Sequence, residues 1–220
     1  MADLPYQQYV KYSLKDKQPT LFNDSVSGKS LSRHVNGHYA EINISYPQLT
    51  ATEFAELDGF LTEVSTFESF TLSLPDREPQ GVATGTPLAN GNYSKGDSSI
   101  NVDGWTVGTA DIFKAGDLLT FGHSHVYTNL TDVSSDTGSI VLEDGTGVIL
   151  LESGTTDELL LEASGQATLS IDPPLKEAVS NNEALTVTSV KYTVKCTDVH
   201  SSKVAPPILY DFNFNVREDS

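Results

Sequence analysis

A single helix signal held between two alternating strands, Ile44 to Leu74 (ISYPQLTATEFAELDGFLTEVSTFESFTLSL), most constrains what this chain can fold into. Thr50 and Glu53 have capping-box spacing: the threonine hydroxyl can accept the amide proton three residues on, while the glutamate reaches back to the threonine amide. The spacing predicts a helix over about 51–64. Phe54, Leu57, Phe60, Leu61 and Val64 recur three and four apart, an apolar stripe suited to packing on a sheet, and leave Glu53, Glu56, Asp58 and Glu63 nearer water. Gly59 weakens the interior by roughly 1 kcal/mol relative to alanine, so this helix depends on packing and its role is architectural.

The rest of the chain reads as strand and turn. Asn36-Gly37 is a hairpin-turn signal, and Ala40, Ile42, Ile44 and Tyr46 alternate with Tyr39, Glu41, Asn43 and Ser45 as a half-buried strand does. Arg33, His34 and His38 flank that turn and are expected to face solvent. Phe67, Phe70, Leu72 and Leu74 form a strand ended by Pro75, followed by a Pro- and Gly-rich crossover over 75–99 with a second turn signal at Asn90-Gly91. From Ile100 onward short strands follow, with Trp105 and Phe113 as the large core residues of a compact β unit. Between 141 and 165, LEDGTG, LLESGT and LLEASG repeat a leucine-bearing strand and an acidic glycine turn, which suggests hairpin strands added in series. In ILYDFNFNV the alternation of Leu209, Phe212 and Phe214 slips at Asp211, as a β-bulge would give.

These textures predict a mainly β protein: a β-sandwich or barrel with one short flanking helix, plus a small β insertion. Residues 1–80 and 166–220 are expected to build the first domain together, with 85–165 inserted as an accessory β domain carrying the acidic repeats. The 38% hydrophobic content is ample for a folded core over 220 residues. No apolar run approaches the roughly 20 residues of a membrane helix, and the start lacks a secretory layout, so synthesis in a cytoplasm and no membrane partner are expected. A formal charge of −17 repels phosphates and argues against specific nucleic-acid binding. The lone Cys196 rules out an intrachain disulfide and sits in an alternating run, YTVKCTDV, that buries it on a strand.

Candidate chemistry is sparse. His123 and His125 would share one face of a strand and could approach a metal, which makes a metal-dependent hydrolase the third alternative, with Asp117, Asp136 or His200 as third ligand, but no spacing selects among these. GxSxG, HExxH and phosphate-loop patterns do not occur in the required context, so no enzyme activity, catalytic residue, cofactor or metal is expected. The acidic residues Glu143, Asp144, Glu152, Asp157, Glu158 and Glu162 form no DxDxDG calcium loop. Tyr6, Tyr9 and Tyr12 belong to an N-terminal arm or an ordinary edge strand, and with Leu150, Leu151, Leu159 and Leu160 they are candidate subunit contacts or core. Tyr93, Trp105 and Tyr127, with Asp103 or Asn101, offer an alternative sugar-stacking platform for host recognition.

The segment RHVNGHYAEINISYPQLTATEFAELDGFLTEVSTFESFTLSLP resembles tail and baseplate-associated proteins of tailed bacteriophages, most closely the distal tail proteins. FKAGDLLTFGHSHVYTNLTDVSSDTGSI and ATLSIDPPL look like the β region that follows in phage virion proteins, so the resemblance covers roughly half the chain. It implies a tail-tube-like β domain and a structural role in the virion tail, assembled in the host cytoplasm. A homo-oligomer, such as a hexameric ring, would join the tail tube to baseplate hub or fibre proteins. The acidic repeats are less typical of that pattern.

Overall fold

A computed structural model describes residues 2–6, 10–18, 20–24, 30–34, 38–64, 67–74, 77, 79–82, 84–135, 165–197, 201–205 and 209–219. They are mainly β, with two principal antiparallel sheets and one helix. The chain divides into two compact units, the first made of 1–75 and 191–220 and the second of 76–190.

The first unit contains β1 (Lys11–Lys17), β2 (Thr20–Asp24), β3 (Ser30–His34), β4 (Tyr39–Leu49), α1 (Ala51–Val64) and β5 (Phe70–Ser73). The second contains β6 (Gly85–Ala89), β7 (Ser99–Trp105), β8 (Leu118–Thr120), β9 (Val126–Asn129) and β10 (Ala167–Asp172). The chain then returns to the first unit with β11 (Lys191–Cys196), β12 (Ser201–Ala205) and β13 (Leu209–Glu218).

In the first unit the sheet order is β1-β4-β13-β11-β5, and β12 also pairs with β13. Ala40, Ile42, Ile44 and Tyr46 of β4 alternate inward, as do Phe212, Phe214 and Val216 of β13, so the side-chain period of two fixes which face is buried. α1 packs on this face. Leu57, Leu61 and Val64 are buried, Phe54 stacks 4.5 Å from Tyr210, and Phe60 meets Phe70 edge-on at 5.6 Å. The Thr50 amide donates to Glu53 Oε2 at 2.8 Å, so the capping box forms at the residues where its spacing placed it. Thr50→Ala is expected to lower the midpoint of denaturant unfolding, at a cost of about 1 kcal/mol. The register of β13 against β4 shifts between Tyr210 and Phe212, and the bulged Asp211 carboxylate accepts the Gln48 amide at 3.1 Å. Cys196 lies buried at the end of β11, where burial pushes its thiol up to about 11. A thiol reagent at pH 8 should therefore label it only as fast as the protein unfolds; rapid labelling of the native chain would contradict this burial.

The N-terminus extends the opposite edge: the Leu4 amide donates to Thr71 O at 3.0 Å and the Thr71 amide to Ala2 O at 2.9 Å. β5 and β11 are antiparallel neighbours in which Ser73 faces Lys191, so the second unit is inserted between two paired strands.

The second unit is a small barrel. Its strands run β6-β7-β10-β9-β8. Bridges Leu88–Ala184 and Thr120–Thr186 place the segment 184–186 between β6 and β8 and join the two edges. Trp105, Phe113, Tyr127, Leu119, Ile100 and Leu169 fill its core. The β6–β7 register shifts at Gly85, where a Cβ would stand 2.3 Å from the Gly104 carbonyl oxygen, so the backbones approach too closely there for any larger residue.

Three expectations are corrected. Residues 166–190 belong to the second unit rather than completing the first, because β10 is held by β7 (Leu169 facing Ile100) and by β9 (Ile171 facing Asn129). The strands flanking Asn36-Gly37 do not form a hairpin with each other: β3 pairs with β2, and β4 with β1 and β13, while Asn36 and Gly37 lie outside the described residues. Phe67 is 85% exposed and precedes β5 rather than packing within it.

Candidate functional site

The first four strands form two nested antiparallel pairs, a hairpin in chain order. β1 and β4 run from Lys11 facing Ser45 to Lys17 facing Tyr39, and β2 and β3 pair from Thr20 facing His34 to Asp24 facing Ser30. The inner half is anchored by β4, whose far side pairs with β13. Near its end the Arg217 guanidinium stacks 3.7 Å over the Tyr39 ring, and Lys17 Nζ lies 3.3 Å from Glu41. His38 is not solvent-facing as its position near a turn predicts; it is half-buried and ion-pairs with Asp16 when protonated. The outer half, β2 and β3, is a two-stranded ribbon that pairs with no other described strand, and Leu21 on it is 64% exposed.

The histidine pair lies in the barrel. Residues 121–125 form the β8–β9 connection, not a strand, so alternation does not govern them. The Thr120 hydroxyl instead stands 2.9 Å from the His123 carbonyl oxygen and 2.8 Å from that of His125, and this folds the connection until the rings lie 5.5 Å apart. His125 Nε2 is 3.3 Å from Glu177 Oε1, and His123 Nε2 is 3.4 Å from the Tyr127 hydroxyl. Burial holds the His123 imidazole below its ordinary range, partly opposed by Glu177. Among the described residues, no three His, Cys, Asp or Glu ligand atoms within 4.8 Å of one another include this pair. Asp117 is committed elsewhere: its carboxylate accepts the backbone N–H groups of Gln80 (2.8 Å), Gly81 (3.1 Å) and Lys114 (2.8 Å). Asp136 and His200 lie outside the described residues.

The sugar platform does not assemble. Trp105 and Tyr127 are core residues at 3% and 0% exposure, because a closed barrel of this size needs large side chains to fill it. Tyr93 packs against the same core, and its hydroxyl donates to Asn90 O and accepts the Asn101 amide, both at 2.8 Å. Asn101 is engaged by the Thr168 hydroxyl at 2.7 Å. Of the tyrosine contacts, Tyr6 and Tyr12 are half-buried, the first bonding Glu56 on α1 and the second on β1, while Tyr9 lies outside the described residues. Leu150, Leu151, Leu159 and Leu160 also lie outside them.

Two features escape a reading of local sequence. The ribbon depends on which distant strand captures β4. The three-donor grip of Asp117 has a local part, with Lys114 three residues away, and a remote part from Gln80 and Gly81 that no spacing reveals.

The fold and these sites define a mainly antiparallel β protein of two units, with a hairpin ribbon as its most distinctive surface. Protein-family models searched with the chain give no match, and neither do the curated proteins. Among the described residues, no helix is long and apolar enough to cross a membrane.

Proposed function

We propose that this chain is a structural component of a bacteriophage tail, a ring-forming distal tail or baseplate connector that contacts tube, hub or fibre proteins. The observation that carries the reading is the hairpin of residues 11–45, anchored in a β sheet at one end and paired only with itself among the described residues at the other. An isolated two-stranded ribbon is marginal in water, and a neighbouring subunit supplies the surface that stabilises it. The sequence resemblance of Arg33–Pro75 to distal tail proteins supports the same role, as does an acidic chain that disfavours adhesion to DNA. The glycan reading loses two of its three rings to the barrel core.

The test is absolute mass of the tag-free chain across a concentration series, with imaging of any large species. A closed ring is expected, six times the 23.7 kDa chain for a hexamer. A chain that stays monomeric and is absent from purified virions would overturn the proposal.

A further inference from the structure

Five of the thirteen lysines and arginines fall within the hairpin, residues 11–45, against three of the thirty acidic residues. The hairpin is thus a cationic element of a strongly acidic chain, whose remaining residues carry eight cations and twenty-seven acids. Lys11 and Lys15 are exposed on one face of β1 and have no ion-pair partner among the described residues. Lys17 is only partly satisfied by Glu41, with 47% of its side chain exposed. Arg33 adds a further positive charge on β3.

From this charge segregation and a ribbon that pairs with no third strand among the described residues, we infer that the hairpin of one copy docks against the acidic remainder of a second copy of this chain. This rests on the assembly reading above and names the contact that drives it. A polyanion such as DNA has the same sign, but the acidic excess of the rest of the chain repels phosphates. A second copy brings that excess as the complementary surface, and the contact is heterologous, with hairpin meeting body, so it propagates around a ring. Exposed Leu21 gives the contact an apolar component that salt does not screen.

The experiment uses the full chain. Raising salt from about 0.1 M to about 1 M shortens the Debye length from about 10 to about 3 Å and should weaken association. The triple variant K11Q/K15Q/R33Q should associate about tenfold more weakly at low salt, with its thermal midpoint unchanged. Zero-length amine–carboxylate cross-linking of an equal mixture of nitrogen-15-labelled and unlabelled chains should join Lys11, Lys15 or Lys17 of one isotope to Asp or Glu of the other. A ring that forms equally well at high salt and in the triple variant, with no mixed-isotope links from these lysines, overturns this inference and leaves the ring reading standing. Absence of any assembly overturns this inference, and together with absence from purified virions it overturns the ring reading as well. Salt-sensitive retention of the parent chain on double-stranded DNA, lost in the triple variant while chain association is unaffected, would assign the hairpin to nucleic acid instead.

Discussion

Asp117→Ala is expected to unfold the barrel at markedly lower denaturant than the parent chain. Asp117 is 3% exposed and its carboxylate accepts three backbone N–H groups, two from residues 80 and 81 and one from residue 114. Removing the acceptor leaves buried donors without partners, each worth about 1–3 kcal/mol, so the total loss should be about 3 kcal/mol or more. Trp105 is the single tryptophan and lies in the barrel core, so its emission reports this unit alone. Its transition should come well before loss of the helical signal from α1. An unmoved Trp105 transition would mean that the carboxylate is not the anchor these distances describe. Asp117→Asn should recover part of the loss, because one amide oxygen can still accept.

Phe212→Ala should reverse that order. Phe212 is fully buried on β13 and meets Phe54 of α1 edge-on at 5.7 Å and Phe214 at 5.8 Å. Truncating a buried phenylalanine costs about 3–5 kcal/mol, a large share of the roughly 5–15 kcal/mol that stabilises a domain. The circular-dichroism signal of α1 should then disappear while Trp105 still emits as a buried indole. Simultaneous loss of both signals at every denaturant concentration would show that the chain unfolds as one cooperative body.

How far the sequence is legible depends on the range over which each feature is specified. α1 is readable because Thr50 and Glu53 cap it within four residues and its stripe needs only a sheet to face. The slip at Asp211 is readable because a change of alternation shows in one strand. Partner choice is not: nothing beside Leu169 indicates that Ile100 will face it, so local sequence places a boundary at 166, before β10, where the structure keeps β10 with β7. The histidine pair shows a related limit. His123 and His125 do converge, but through a turn pinned by Thr120 rather than through strand alternation, and among the described residues no third His, Cys, Asp or Glu ligand atom gathers with them. Trp105 could be read as core from its type, whereas the burial of Tyr127 follows from barrel closure by 184–186, which only the bridges at Leu88 and Thr120 reveal.

The pairing of Ser73 with Lys191 means that the whole barrel is, for the first unit, the loop of a single hairpin. While the barrel is folded that loop is short in entropic terms, since most of its residues are already ordered. Once the barrel opens, β5 and β11 must close a flexible loop about thirty times longer than a tight turn, which costs about 3 kcal/mol at roughly 0.6 kcal/mol per doubling. Chain connectivity by itself thereby couples the two units. Replacing residues 76–190 with a four-residue turn should accordingly leave the first unit folded and speed the zipping of β5 onto β11, as stopped-flow refolding would show.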